Sequence, residues 1–350
     1  MKVSSLVITL LIFVSSFSFA QKHTLSGYVI DSESGESLIG VTIYVEEMKA
    51  GTVTNVYGFY SLTVPAGTYN IKYSFIGFQT IAEQIELTQN IKKDIELGTN
   101  SEVLKEVVIE AEVEDDNVRS TEMSTVKMNM AEIEKLPVLF GEVDVLKTIT
   151  LMPGVQSAGE GNTGFYVRGG GPDQNLILLD EAPVYNASHL LGFFSVFNAD
   201  AVKEMELMKG GIPSEYGGRL SSVLDIKMNE GNQRKTTVKG GIGLIASRLT
   251  IESPFFGATK DKASFIVSGR RTYADIFLKA APDTSLRDAK LYFYDLSAKV
   301  NYKLNDNNRI FLSGYFGRDV FAFGDSFGFN WGNTTGTARW NHLFNDKLFM

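Results

Sequence analysis

The sequence predicts a mainly β protein: an N-terminal β-sandwich, a compact α+β domain, and the start of an antiparallel transmembrane β-barrel. Three observations lead there. Short β-prone runs separated by turn residues fill residues 22–98. Residues 120–233 combine two short helical stretches, glycine-rich turns and one continuous apolar strand. Of the 40 Phe, Tyr and Trp residues, 20 lie in residues 234–350, where strands alternate apolar and polar side chains. The expected organisation is therefore an address segment at 1–20, a sandwich at 22–98, an acidic tether at 99–119, the α+β domain at 120–233 and barrel strands at 234–350.

Composition excludes several function classes. A hydrophobic share of 44% supports packed cores rather than disorder. The net charge of -8 argues against a nucleic-acid partner, which needs a basic face to displace phosphate counterions. With no cysteine there is no disulfide frame, thiolate metal site or cysteine nucleophile. His23, His189 and His342 are far apart and form no metal-ligand spacing. No paired His-Ser-Asp or metal constellation is seen, so neither an enzyme nor a cofactor is expected.

Lys2, the apolar run Leu6–Val14 and the small residues Ser18 and Ala20 form a secretory signal peptide cleaved after Ala20. No later stretch reaches the roughly 18 apolar residues of a membrane helix, so membrane insertion would have to use strands.

In the sandwich, strands are expected at Leu25–Ile30, Val41–Val45, Tyr57–Val64, Tyr69–Phe75 and Ile91–Leu97. Turns are expected at Asp31–Gly35, Lys49–Gly51 and Pro65–Gly67. Tyr69, Ile71, Tyr73 and Phe75 alternate with polar residues, which buries one face. The series Gly27–Asp31, Leu38–Val41, Gly51–Asn55, Gly58–Tyr60 and Val64–Tyr69 resembles the carboxypeptidase-regulatory-like domain. That resemblance implies an accessory or spacer domain and no peptidase activity.

Seven acids and one lysine occupy residues 102–116, a run that stays solvated and extended. Within it, Glu106, Val107, Val108 and Ile109 form a short β-prone word. Such a segment can add itself as a strand to another protein's sheet edge. It can equally be the last strand of the preceding sandwich.

Short helices are expected at Glu132–Leu136 and Val143–Thr150, each stopped by a proline. Phe165–Arg168 runs into Gly169-Gly170-Gly171-Pro172-Asp173, a tight turn between strands, and Leu176–Leu179 leads to Asp180. Met205–Lys209 is followed by Gly210-Gly211, then Tyr216-Gly217-Gly218-Arg219 and the run Leu220–Ile226. Neither Gly169–Gly171 nor Gly241–Gly243 carries the neighbours of a phosphate or dinucleotide loop.

In order and spacing, these stretches, with Pro183-Val184-Tyr185, resemble the plug domain of TonB-dependent outer-membrane receptors. The resemblance implies that the tether carries the TonB box, at Glu106–Ile109. It implies that Arg168 is the plug arginine that pairs with barrel-wall glutamates outside this stretch. The plug motif then comprises Arg168, Gly169, Gly170, Gly171, Asp173, Asp180, Gly210, Gly211, Tyr216, Gly217 and Arg219. Glu204 stands where many members have a basic residue, with Lys203 beside it. The starch-utilisation subclass joins the same two modules but differs around the Arg168–Asp173 turn, so no lipoprotein partner is implied.

Tyr292, Tyr294, Leu296, Ala298, Val300 and Tyr302 alternate with Asp295, Ser297, Lys299, Asn301 and Lys303, with Phe293 as the exception. A strand between lipid and a wet lumen has this period, as does a half-solvated sandwich strand. Short connections are expected near 254–262, 305–308 and 345–347, and longer outer loops at 278–290 and 318–334. The aromatic stretch Phe321–Trp331 reads either as an exposed recognition loop or as an interfacial girdle. About six strands and the start of a seventh are expected, the first part of a barrel that in plugged transporters has about 22.

The resemblance implies active import of a scarce ligand across the outer membrane, with the N-terminal domain in the periplasm. The implied partners are TonB with its energising complex, outer-membrane lipid and an unidentified imported ligand. Tyr185, Asn186 and His189 are candidates for facing that ligand. The competing classes are a signal-transducing receptor and a secreted β-sandwich that binds glycans or mediates adhesion.

Overall fold

The computed structural model describes residues 21–99, 124–133, 143–159, 163–255, 262–280, 282–323 and 327–350. The expected signal peptide and the expected TonB box at Glu106–Ile109 lie outside the described residues. Among the described residues strand far outweighs helix.

The sandwich contains β1 (Lys22–Asp31), β2 (Thr42–Val45), β3 (Ala50–Val53), β4 (Phe59–Pro65), β5 (Gly67–Ser74), β6 (Ile81–Leu87), β7 (Ile91–Lys92) and β8 (Ile95–Leu97). One sheet places β1 between antiparallel β4 and parallel β7 and β8; the other runs β3-β2-β5-β6. Leu25, Val29, Ile43, Ile71, Tyr73 and Leu97 fill the space between them and are essentially inaccessible. Two elements depart from the sequence expectation. Lys49–Gly51 was expected to be a turn only, but Ala50–Val53 pairs with β2 as an edge strand. Gly51 permits this, because a Cβ there would lie 2.3 Å from the Ile43 carbonyl oxygen. Ile81–Leu87, absent from the expected strands, forms the opposite edge against β5.

The second unit begins with the α+β region. It comprises β9 (Thr125–Asn129), α1 (Met130–Ile133), α2 (Val145–Ile149), β10 (Val155–Ser157), β11 (Phe165–Val167), β12 (Asn175–Leu179), β13 (Ala182–Pro183), β14 (Ser188–His189), β15 (Phe194–Ser195), β16 (Val202–Met208) and β17 (Ser222–Met228). Asp144 caps α2, its carboxylate accepting from the Leu146 and Lys147 N–H groups at 3.0 and 3.1 Å. The main sheet runs β13-β12-β17-β16-β9, with β12 and β17 parallel. One face packs Leu207, Leu224, Ile226 and Met205 against α1, α2, Phe165 and Phe197. Every residue of the central strand β17 is buried, including Asp225 and Lys227, which pair at 2.8 Å.

The wall consists of β18 (Thr237–Ile242), β19 (Ala246–Pro254), β20 (Ala263–Thr272), β21 (Lys290–Asn305), β22 (Asn308–Phe323), β23 (Phe327–Asn345) and β24 (Leu348–Phe349), each antiparallel to the next. Two short helices, α3 (Ala274–Leu278) and α4 (Thr284–Arg287), fill the connection between β20 and β21. The expected outer loop at 318–334 is corrected here: β22 and β23 continue through it and leave only residues 324–326 between them. Cross-strand pairing of Phe321 with Phe329 and Phe323 with Phe327 sustains the ladder. At 16 and 19 residues these strands exceed the roughly 9–11 needed to cross a bilayer. The hairpin therefore continues past the apolar band.

Candidate functional site: the plug seat and its outer recess

Register assigns the two faces of the wall. Odd-numbered residues of β21, β22 and β23 face the α+β region, and even-numbered residues face away. Asp295, Ser297, Lys299 and Asn301 are buried on the inner face. Leu296, Leu312 and Trp340 are about half exposed on the outer face. The Phe293 exception follows from the same geometry: its ring is fully buried and stacks on His189, with centroids 4.0 Å apart.

Asp180 and Glu181 form a two-residue turn between β12 and β13, with φ of 45° and 71°. Asp is among the few side chains that tolerate this left-handed region. The Asp180 carboxylate accepts from the Met228 N–H and the Lys299 Nζ, each at 3.1 Å. Its carbonyl oxygen accepts from the Thr337 hydroxyl at 2.8 Å, and Glu181 pairs with Arg339 at 2.6 Å. Burial alone would raise the Asp180 pKa. The Lys299 charge and the Met228 N–H outweigh it and hold the carboxyl below the usual carboxylate range. The turn is thus clamped to both β21 and β23.

A second contact lies towards the far end of the same strands. The His189 Nδ1 is 2.7 Å from Asp319, and its Nε2 is 3.3 Å from Asp295 and 3.2 Å from the Tyr315 hydroxyl. The Leu190 N–H donates to Asp319 at 2.7 Å. Arg270 donates to Asp295 at 2.8 Å and to the Ser195 carbonyl at 2.7 Å. Asp200 and Arg248 add a third pair at 2.8 Å.

Arg168 sits at φ 47° and is exposed, and its guanidinium donates to the Ser124 hydroxyl at 2.8 Å. It therefore ties the glycine turn to the residue that leads into β9. Gly210 leaves room for it, since a Cβ there would lie 2.8 Å from the Arg168 Nη1. Gly170 is required by contact, because its Cβ would lie 2.3 Å from the Ser221 Oγ. Gly169 and Gly211 adopt positive φ. Asp173 and Gly217 are exposed, and Gly171 lies beside the Asp173 carboxylate. Tyr216 is half-buried, and burial pushes its hydroxyl well above its ordinary pKa. Arg219 is exposed and lies 5.9 Å from the Tyr185 ring centroid.

The candidate ligand-facing residues divide. Tyr185 is 81% exposed, and Asn186 is exposed beside the wall, its carbonyl hydrogen-bonded to the Asn333 amide. His189 is a correction: it is 2% exposed and occupied by the two wall carboxylates, so it positions the plug rather than facing a ligand. The wall partners Asp295, Lys299, Asp319 and Arg339 were not singled out as partners from sequence. Their signal was the polar half of the strand alternation. Among the described residues no group of three or more His, Cys, Asp and Glu could hold a metal ion.

An α+β domain seated by charged pairs on the inner face of an antiparallel wall defines a plugged barrel architecture. Comparison with known proteins gives the family. Residues 25–109 match the CarboxypepD_reg-like domain, and residues 117–222 match the TonB-dependent receptor plug domain. The chain thus carries a CarboxypepD_reg-like domain followed by a TonB-dependent receptor plug domain. It is 36% identical over 98 residues to the TonB-dependent receptor SusC of Bacteroides thetaiotaomicron, covering 28% of this chain and 9% of that protein. Among solved structures it is similar to the siderophore receptor PirA of Acinetobacter baumannii, at 19% identity and a TM-score of 0.41, covering 61% of this chain and 33% of that one. It is also similar to a ferric enterobactin receptor (PfeA) mutant of Pseudomonas aeruginosa, at 16% identity and a TM-score of 0.46, covering 66% of this chain and 39% of that one. The chain thus spans well under half the length of these relatives.

Proposed function

We propose that the protein imports a scarce ligand across the bacterial outer membrane, with the plug released by TonB pulling on the tether. The observation that carries this reading is the seating of the plug. Its contacts with the wall through Asp180, Glu181, Asp200 and His189 are ionic or hydrogen-bonded. Buried ion pairs give register more than net stability, so such a seat can be opened and rewetted. Ligand binds outside on the plug apex and the wall ends, and the N-terminal sandwich stands in the periplasm. Glu106–Ile109 adds as a strand to TonB. Force then enters at β9, which among the described residues is an edge strand bonded to β16 alone. Arg168 stands at that entry through Ser124.

Deleting Glu106–Ile109 is expected to abolish uptake in cells while leaving ligand binding intact. Unchanged uptake would remove the coupling role. A second reading of that segment has its own support, because the regulatory-like match runs to residue 109 and so includes it. There it would be the last strand of the sandwich, and its deletion would destabilise that domain. Thermal unfolding of the deletion variant separates the two.

A further inference from the structure

The aromatic stretch Phe321–Trp331 does not behave as a lipid girdle. Phe321, Phe323, Phe327, Phe329 and Trp331 are all odd-numbered, and Trp331 is the register partner of Asp319, which bonds the plug. The five rings therefore continue the inner face of the wall above the plug. On the outer face at the same height stand Arg318 and Asn330, hydrogen-bonded at 2.7 Å. A polar pair there marks the end of the apolar band, so the rings project over the plug apex into water. Phe329 and Trp331 stack with centroids 5.1 Å apart and planes at 20°. Contiguous exposed rings of this kind mark a binding surface.

Below them is an open recess of about 400 Å³, lined by Asn186, Ser188, Leu191, Phe329 and Trp331. None of these lining residues is charged. From this combination we infer that the recess binds a neutral, ring-bearing ligand, an uncharged glycan. Pyranose C–H faces stack on Phe329 and Trp331, and hydroxyls bond to Asn186 and Ser188. An anionic ferric chelate would find no cation in this lining, and a bare metal ion would find no carboxylate or imidazole. The inference rests on the receptor reading above and specifies what that receptor takes.

Trp331→Leu removes one ring of the stacked pair and serves as the comparison variant. The full-length protein in detergent is titrated with maltohexaose, cellohexaose, xylohexaose and chitohexaose. Ferric enterobactin, haemin and polygalacturonate serve as anionic comparators, followed by calorimetry. At least one neutral oligosaccharide is expected to bind the parent saturably by calorimetry, and Trp331→Leu about tenfold more weakly. Phe329→Leu, which keeps bulk and removes the ring, is expected to weaken binding about tenfold, the loss of one aromatic anchor. Silence of all four oligosaccharides, or binding of an anionic probe alone, overturns the inference. An anionic probe that binds and enters cells in a Glu106–Ile109-dependent way removes the glycan assignment and keeps the receptor. A glycan that binds while uptake ignores that deletion keeps the site and removes the coupling.

Discussion

The sandwich and the plug are both small β-rich units, yet they bury different chemistry. Among the described residues of the sandwich, the buried polar groups are His23, Thr24, Ser26, Ser37 and Thr54, with no acid, lysine or arginine. Its two sheets close on each other through aliphatic and aromatic contacts. The plug has one such face, but its contact with the wall is built from Asp180, His189, Arg270, Asp295, Lys299 and Asp319, all buried. An apolar core gains stability roughly in proportion to the area it hides. A buried charge pair loses most of its Coulombic gain to desolvation, and what remains is geometry. The sandwich therefore rests on buried apolar area, and the plug seat on matched charges that fix one register.

The largest expected effect comes from breaking one seat pair. Lys299→Ala leaves Asp180 buried without its counter-charge and should weaken the seat by about 3–5 kcal/mol. Urea unfolding of the plug, followed by hydrogen exchange in β12 and β17, reads this. Next, Ile43→Ala opens a cavity in the sandwich and should cost about 2–5 kcal/mol there. The same exchange measurement should find the plug unchanged, and a change in both would mean the two regions are not distinct.

The pH dependence of the seat has a defined sign. The Asp180 pKa is lowered on folding, so its contribution is complete above the unfolded value of about 3.9 and is lost as pH falls through the lower folded value. Seating should hold at pH 5 and weaken only below about pH 4. Glu204 has the opposite sign. Burial raises its pKa despite Lys203, so the plug gains stability as pH falls through that raised value. Glu204→Gln should accordingly be neutral to slightly stabilising at pH 7 by thermal unfolding. The smallest effect is expected at the exposed Lys72–Glu46 pair on the sandwich, where Glu46→Ala should leave the melting temperature unchanged.

Much of this arrangement was legible in the sequence because it rests on local period. The alternation from Tyr292 to Lys303 assigned both faces of β21, and the glycine turn at Gly169–Gly171 lies where its spacing put it. What was not legible depends on long-range contacts. His189 reads as an apex residue until Asp319, 130 positions later, is brought against it. Asp180 meets Lys299 across 119 positions. The stretch Phe321–Trp331, rich in Gly, Asp and Asn, has the composition of a loop, but cross-strand ring pairs hold it as strand. Ala50–Val53 was hidden for a related reason, since its pairing with β2 overrides turn-like residues.

The claim that the seat is held by matched charges is tested most directly by a double-mutant cycle on Asp180 and Lys299. Plug stability is measured by urea unfolding for the parent, Asp180→Asn, Lys299→Met and the double variant. Each single variant should be strongly destabilised. The double variant should lose less than the sum of the two single losses, by a coupling of about 2–3 kcal/mol. If the two losses simply add, apolar packing holds the plug and the polar seat described here is wrong.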